Sequence, residues 1–335
     1  MISVIIVGYN SQKYLDDCLS SLFSSTYTQF KVIFIDNNSS DDSVNFVKRK
    51  FPKVEIIESK DNLGFTGGNN LGMERAYSNG SDFVFLLNPD TIIDKDCLAT
   101  LIKKADKNTI LQPLILLHEK GKNTDLINTT GNYLNFLGIS YCNNYRKPSA
   151  SAHEEEIPTA SGAAVLIPTN ILKKTGMFDE SFFMYHEDVD LCWRARILGF
   201  NIKLVPNAYV WHKYSFGRNN KKMFFIERNR LLFIFKNFET KTILLISPLL
   251  LVNEILMFFY SLVSGWPIQK ISASIDFLRI MIKKRNRLVL TRKATDRELK
   301  KYLSGDIEFS EIKIKLLKIY SWFCAKYWKM IRSFI

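Results

Sequence analysis

Lys31-Val32-Ile33-Phe34-Ile35-Asp36-Asn37-Asn38-Ser39-Ser40-Asp41-Asp42-Ser43 joins a short, unbroken apolar run to an abrupt polar turn. An apolar run without alternation suits a strand covered on both faces, the habit of parallel sheets flanked by helices. The same pattern recurs at residues 4–7 (Val-Ile-Ile-Val), 54–57 and 83–87. Between these runs, residues 14–23 and 69–78 carry helical spacing. The order β-α-β-α-β-α-β predicts an α/β fold with a Rossmann-like, mostly parallel central sheet.

Beyond this the pattern changes. Residues 91–158 are less regular, and the polar stretch 149–156 is expected to be a mobile surface loop. A strand is predicted at 163–167, then a helix at 187–198 closed by Gly199, then a strand pair at 202–205 and 208–211. There is no internal repeat.

The chain has 335 residues and a net charge of +13. Residues 270–335 hold 17 basic and 6 acidic side chains, so nearly all of the excess lies there. An apolar fraction of 47% excludes global disorder. Five cysteines form no C-x-x-C pair and read as small buried apolar residues of a reducing compartment. The first residues lack a basic leader, so the first region is expected to stay in the cytoplasm.

Four polar clusters each follow a predicted strand, and open α/β sheets bind ligands at that edge. They are Gly8-Tyr9-Asn10; Asp36 with the turn behind it; Asp61-Asn62-Leu63-Gly64-Phe65-Thr66-Gly67-Gly68-Asn69; and Asn88-Pro89-Asp90. The first reads equally as a strand-to-helix turn, and Ser39 to Asp42 as a helix cap. Asp36 ends its strand, where it can accept hydrogen bonds from a ribose or base. In the third cluster the glycines are expected to open a helix whose N–H groups face an anion. Its spacing is neither G-x-G-x-x-G nor G-x-x-x-x-G-K-[ST], which disfavours nicotinamide dinucleotides and Walker-type ATP hydrolysis. Pro89 keeps Asn88 out of helical geometry and presents Asp90 rigidly, a carboxylate suited to a hard divalent cation on phosphate oxygens.

Further on, Ser161-Gly162 precedes a strand, and Tyr185-His186-Glu187-Asp188-Val189-Asp190 opens a helix. Asp190 can pair with Arg194 at i,i+4, whereas Glu187 or Asp188 at the helix mouth can serve as a general base. His212 ends a strand, where a histidine near carboxylates can complete a metal site.

The motifs V-I-I-V-G-Y-N, I-D-N-N-S-S-D-D-S, N-L-G-F-T-G-G-N-N, L-L-N-P-D and G-M-F-D-E-S-F-F-M-Y-H-E-D-V-D-L-C-W-R-A resemble the bacterial family-2 glycosyltransferases of GT-A fold, especially the rhamnosyltransferase-like branch. The resemblance spans residues 2–235. It implies inverting transfer of a sugar, rhamnose among the candidates, from a nucleotide-diphosphate donor to a lipid-linked oligosaccharide acceptor of bacterial surface polysaccharide. By it, Asp188 with Glu187 supplies the base, and Asp90 with His212 holds Mg2+ or Mn2+. Tyr9, Asn10, Asp36, Asn38, Asn62, Gly64, Phe65, Asn69, Asn88, Ser161 and Gly162 line the nucleotide-sugar site. The metal motif of the family is often Asp-x-Asp; Asn88 replaces its first carboxylate, a form shared with the rhamnosyl branch. The alternatives are a nucleotidyltransferase of similar fold, disfavoured by the lack of a G-x-G-x-R-type loop, and a non-catalytic nucleotide-sugar-binding protein.

A catalytic domain over residues 1–235 and a helical, membrane-associating region over 236–335 are therefore expected. Residues 242–266 are apolar but interrupted by Pro248 and Glu254, and a single crossing would leave the basic tail outside, against the positive-inside rule. A helical hairpin or in-plane helices on the cytoplasmic leaflet fit better. In the tail, Lys315, Lys318, Lys326, Lys329 and Arg332 fall on one helix side, and Ile312, Leu316, Ile319, Phe323, Tyr327, Met330 and Phe334 on the other. That pattern suits an anionic membrane surface. Packing on the catalytic domain, or pairing of two subunits into a homo-oligomer, would use the same stripe. No nucleic-acid-binding motif accompanies the basic residues, so nucleic acid is not an expected partner.

Overall fold

The computed structural model describes residues 1–214, 219–284, 292–307 and 315–335. β1 (Ile2–Gly8), β2 (Phe30–Asp36), β3 (Glu55–Glu58) and β4 (Phe83–Leu87) pair in parallel in the order β3-β2-β1-β4, as the four apolar runs predict. Helices on both faces explain the unbroken hydrophobicity. Val4 and Ile6 share one core cluster with Leu15, Leu19 and Leu22 of α1 (Gln12–Phe23). Gly68 and Gly72 of α3 (Gly64–Ser78) lie against Val7 and Ile5 on the opposite face. α2 (Ser43–Lys50) joins β2 to β3.

The irregular stretch after residue 90 holds more order than its sequence suggests. β5 (Thr91–Ile93) and α4 (Cys97–Lys104) lead into β6 (Thr109–Glu119), which is buried from Thr109 to Leu117 and paired with β7 (Lys122–Thr129). A two-stranded sheet of β8 (Asn132–Leu134) and β9 (Ser140–Cys142) follows. The expected loop at 149–156 instead contains a 3-10 turn, Ser149–Ser151, and β10 (Glu155–Glu156), an edge strand whose backbone pairs with Lys203 and Leu204 although its side chains are polar. β11 (Ala164–Pro168) runs antiparallel between β4 and β6, and α5 (Thr169–Thr175) continues from it.

α6 (Glu187–Ile197) ends as predicted: Gly199 is left-handed at φ 83°, and Phe200 N–H reaches back to Ala195 O. The expected strand pair is one strand, β12 (Asn201–His212), with a bulge between Val205 and Tyr209. Pro206 on this strand and Pro113 on β6 each lack an N–H, so the ladder cannot run through that point unbroken.

The chain divides into two compact units. The first contains the large sheet and its helices; the second contains residues 133–141, 196–199 and the helices from α7 onward. The division falls between β12 and α7, earlier than residue 235. In the second unit are α7 (Asn220–Asn237), α8 (Thr240–Val263), α9 (Pro267–Lys284), α10 (Asp296–Leu299) and α11 (Lys315–Ile331). α8 is one unbroken helix that carries Pro248 and Glu254 within it. The Leu244 carbonyl that Pro248 cannot bond accepts the Ser247 hydroxyl at 2.9 Å instead. By length and composition α8 is sufficient to cross a membrane.

α11 buries Cys324, Trp328 and Ile331 and leaves Ile319, Phe323 and Met330 exposed, and Phe334 beyond its end is exposed too. Its packing face is thus offset from the stripe read in the sequence. Ile312 and the side chains of Lys315 and Leu316 lie outside the described residues.

Candidate active site

Strand directions bring the predicted residues to one edge. β1, β2, β4, β6 and β12 run the same way, so Gly8, Asp36, Leu87 and His212 end there. β11 runs oppositely and therefore begins at that edge, directly after Ser161 and Gly162.

Asp36 is 4% exposed. Its Oδ2 accepts Ser39 N–H at 3.0 Å, while its Oδ1 is buried without a partner. A buried acceptor left open is costly unless a ligand supplies the donor. Asn10 (φ 51°) holds this turn through Ser40 N–H to its Oδ1 at 2.8 Å, and Tyr9 beside it is 55% exposed. Asn38 is left-handed and exposed. Its neighbour Asn37, absent from the predicted set, does the internal work: its Oδ1 accepts Leu63 N–H, and its Nδ2 donates to Asn62 Oδ1 and Gly64 O. The signal was available, since Asn37 follows a strand-end carboxylate and precedes a left-handed asparagine.

The glycine cluster works differently from expectation. α3 begins at Gly64, inside the supposed loop, and its first N–H groups are already taken by the protein. Gly64 N–H bonds Asn62 Oδ1 at 2.9 Å, and Thr66 N–H bonds Phe183 O at 3.1 Å. Two of the N–H groups at this helix mouth are thus bonded within the protein. The glycines allow close packing instead: a Cβ on Gly68 would lie 2.7 Å from Val7, and one on Gly72 2.4 Å from Ile5. Asn69 is 2% exposed and donates to Phe65 O within the helix, so it is a structural side chain. The Phe65 ring lies 3.3 Å from where a Cβ on Gly162 would sit, which places aromatic and glycine side by side.

Asp90 and His212 come together through the pairing of β5 with β12. His212 Nε2 lies 3.3 Å from Asp90 Oδ1. Nδ1 donates to Asn128 Oδ1 at 2.9 Å, and the buried Asn128 fixes the ring, a partner that no sequence motif announces. With a neutral ring, Nε2 and Oδ1 would be two acceptors facing each other, an arrangement that a divalent cation would satisfy. Among the described residues no group of three or more His, Cys, Asp or Glu gathers around an ion position. A cation here would need further oxygens from a ligand such as a diphosphate. Asn88 is held at the same turn, its carbonyl accepting the Thr91 hydroxyl at 2.6 Å.

Asp188 is the most elaborated carboxylate. Oδ2 accepts Gly162 N–H at 2.9 Å and Asn132 Nδ2 at 3.2 Å, and Oδ1 accepts Val189 N–H at 2.8 Å. Ser161 beside it is tied by its N–H to Gln112 Oε1 at 2.7 Å. Burial pushes Asp188 above the ordinary aspartate value, opposed by those three donors. Glu187 is pushed up well above its own, by burial and then by the adjacent Asp188 charge, and its buried Oε2 has no partner. Burial and the mutual repulsion of the pair thus act on Glu187 with nothing bonded to its Oε2, whereas three donors favour the charged form of Asp188. Three left-handed non-glycine residues, Phe183, Tyr185 and His186, lead into this helix mouth. Such backbone persists where surrounding contacts overdetermine it. As predicted, Asp190 is structural, paired with Arg194 at 2.8 Å in the interior.

Residues 3–175 match the model of glycosyl transferase family 2. The chain is 27% identical over 204 residues to the low-salt glycan biosynthesis hexosyltransferase Agl10 of Haloferax volcanii, covering 60% of this chain and 63% of that protein. It is 25% identical over 235 residues to rhamnosyltransferase WbbL of Escherichia coli, covering 67% and 87%. The N-acetylglucosaminyl-diphospho-decaprenol L-rhamnosyltransferase of Mycobacterium tuberculosis is 28% identical over 243 residues, covering 65% and 78%. The matched part spans about half of the poly-beta-1,6-N-acetyl-D-glucosamine synthase of Staphylococcus epidermidis, at 49%. Among solved structures, GalNAc-T7 with UDP, GalNAc and Mn2+ superposes with a TM-score of 0.60 at 15% identity, covering 72% of this chain and 48% of that one. Staphylococcus aureus TarS 1–349 does so at 0.52 and 18%, covering 99% and 90%.

Proposed function

Because the chain belongs to glycosyl transferase family 2 and has the GT-A fold, we propose that it moves a hexosyl group, rhamnosyl first among those to test, from a nucleotide-diphosphate donor to a lipid-linked saccharide. The observation that carries this reading is Asp188, a carboxylate oriented by three donors at the ligand-binding edge of the sheet. Held there, it can take the proton from an acceptor hydroxyl as that oxygen attacks the anomeric carbon. Attack opposite the departing diphosphate inverts the anomeric centre. Transfer needs one base, with no second carboxyl acting as an acid.

Asp36, through its open Oδ1, would accept from the nucleoside. Asp90 and His212 would hold Mg2+ or Mn2+, which when bound neutralises charge on the leaving diphosphate. GalNAc-T7 was crystallised with UDP and Mn2+, and TarS 1–349 with UDP-GlcNAc, which supports this division of labour. The name of the mycobacterial relative, a decaprenol-linked rhamnosyltransferase, supports a lipid-linked acceptor. The exposed apolar side chains of α8 and α11 support work at a membrane surface.

The test is a donor panel of UDP-, GDP- and dTDP-sugars with a prenyl-diphosphate-linked acceptor, product detected by mass, with and without EDTA. One donor should give a glycosylated product whose anomeric centre is inverted, and EDTA should abolish it. Failure of every nucleotide sugar to bind would remove the catalytic reading.

A further inference from the structure

The corner between α8 and α9 has no charged side chain from Ile255 to Gln269. α8 ends on Gly265 (φ 80°), with Trp266 N–H returning to Ser261 O, and Pro267 starts α9 at once. The corner is rigid, and it is apolar on its outside. Val263 is 90% exposed and Ile268 72%. Phe259 and Leu262 on α8, with Ile271 and Ile275 on α9, extend the exposed surface from both sides. The two helices meet along a trough whose apolar lining, Phe258, Ile271, Ile275 and Leu278, joins their faces, with the paired Glu254 and Lys270 and with Ser274 also lining it.

The charges bordering this stretch are neutralised internally. Glu254 bonds Arg230, and its other oxygen bonds Lys270 at 2.6 Å. Glu227 closes the set, accepting from Lys270 and from Arg230 at 3.3 Å. Two carboxylates and two cations thus share one mostly buried cluster with no net charge. Glu254, which in sequence forbids burial of this helix in hydrocarbon, faces the protein. What the corner turns outward is uncharged: the exposed apolar side chains, with Ser264 and Ser272 among them.

We propose that this corner inserts into one leaflet of a lipid bilayer, with Val263 at its deepest point and the Glu254–Lys270 cluster near the interface. The proposal rests on the membrane-facing reading above and deepens it: the anchor is apolar insertion, with the basic tail as an addition. Depth follows from the helix rise. From Glu254 to Val263 is nine residues, about 14 Å, less than half of the ~30 Å hydrocarbon core. α9 then carries the chain back toward charged sequence, so the corner enters without crossing. A lipid occupant is favoured over a second copy because a protein interface of this kind carries a polar rim, whereas this surface is uniformly uncharged over the whole corner.

The test uses the full chain bearing Val263→Cys, labelled with an environment-sensitive fluorophore, against neutral phosphatidylcholine vesicles at high salt. The expected result is a blue-shifted emission quenched by lipids brominated deep in their acyl chains, with unlabelled wild type as the background control. Val263→Asp should reduce vesicle binding at least tenfold while leaving transfer to a water-soluble acceptor analogue unchanged. The proposal is overturned by water-like emission on vesicles, by labelling of position 263 from the far side of sealed vesicles, or by a lipid-free dimer that buries the corner. Vesicle binding needs no nucleotide sugar, so a chain that inserts but binds no donor would fail the catalytic reading alone.

Discussion

Asp188 and Glu187 are adjacent carboxylates at one helix mouth, and only their hydrogen bonds separate their roles. Asp188→Asn should keep the far-UV circular dichroism of the wild type and lose about 10²–10⁴-fold in kcat, the usual contribution of a general base. Asn132 donates to Asp188 through Nδ2, so on the proposed mechanism it would position the base. In Asn132→Ala the ionised base loses a donor, so the acid limb of the kcat/KM–pH profile should move to higher pH, with kcat falling about tenfold and KM little changed. Glu187 gives a stability signature. Its folded pKa is raised, so the folded chain holds a proton that the unfolded chain releases. Stability from this site is complete at low pH and falls as pH rises above the ordinary glutamate value. Urea unfolding at several pH values should show Glu187→Gln lacking that fall. From sequence, the helix-mouth carboxylates, Asp36, Asp90 and His212 were legible because each ends or opens an element. Asn132, Asn128 and Asn37 were not, since a polar side chain's partner across the fold leaves no local pattern.

At the scale of elements, α3 shows how one motif can read two ways. Glycines at a strand-to-helix junction suggest a phosphate loop, yet here Gly68 and Gly72 admit Val7 and Ile5 of β1. Gly72→Ala should destabilise the fold by about 1–3 kcal/mol through overpacking, measured by urea unfolding, with donor affinity per folded molecule unchanged. β12 carries the opposite lesson. Its sequence reads as two strands, whereas the ladder to β6 on both sides of the Pro206 bulge makes it one. α8 repeats the point: Pro248 and Glu254 look like interruptions until Ser247 caps the freed carbonyl and Arg230 and Lys270 take the carboxylate.

For the molecule as a whole, the basic excess and the catalytic edge belong to different units. Adding anionic lipid to neutral vesicles should strengthen binding, and salt should remove only that increment, because exposed charges are screened while apolar insertion is not. A cosedimentation series in lipid composition and salt measures both parts. The sequence by itself determined the parallel α/β half, the strand-end acids and the separation of a basic, helical tail. Those features are written in local periodicity and in the residue that terminates each run, which are properties of neighbours along the chain. Only the tertiary structure decided which of two adjacent carboxylates is held by three donors, that Gly68 and Gly72 pack against β1, and how the side chains of α8 divide between interior and surface. Each of these depends on atoms far apart in sequence but within hydrogen-bonding or van der Waals distance in space. Desolvation and pairing at such contacts, rather than residue type, set the chemistry.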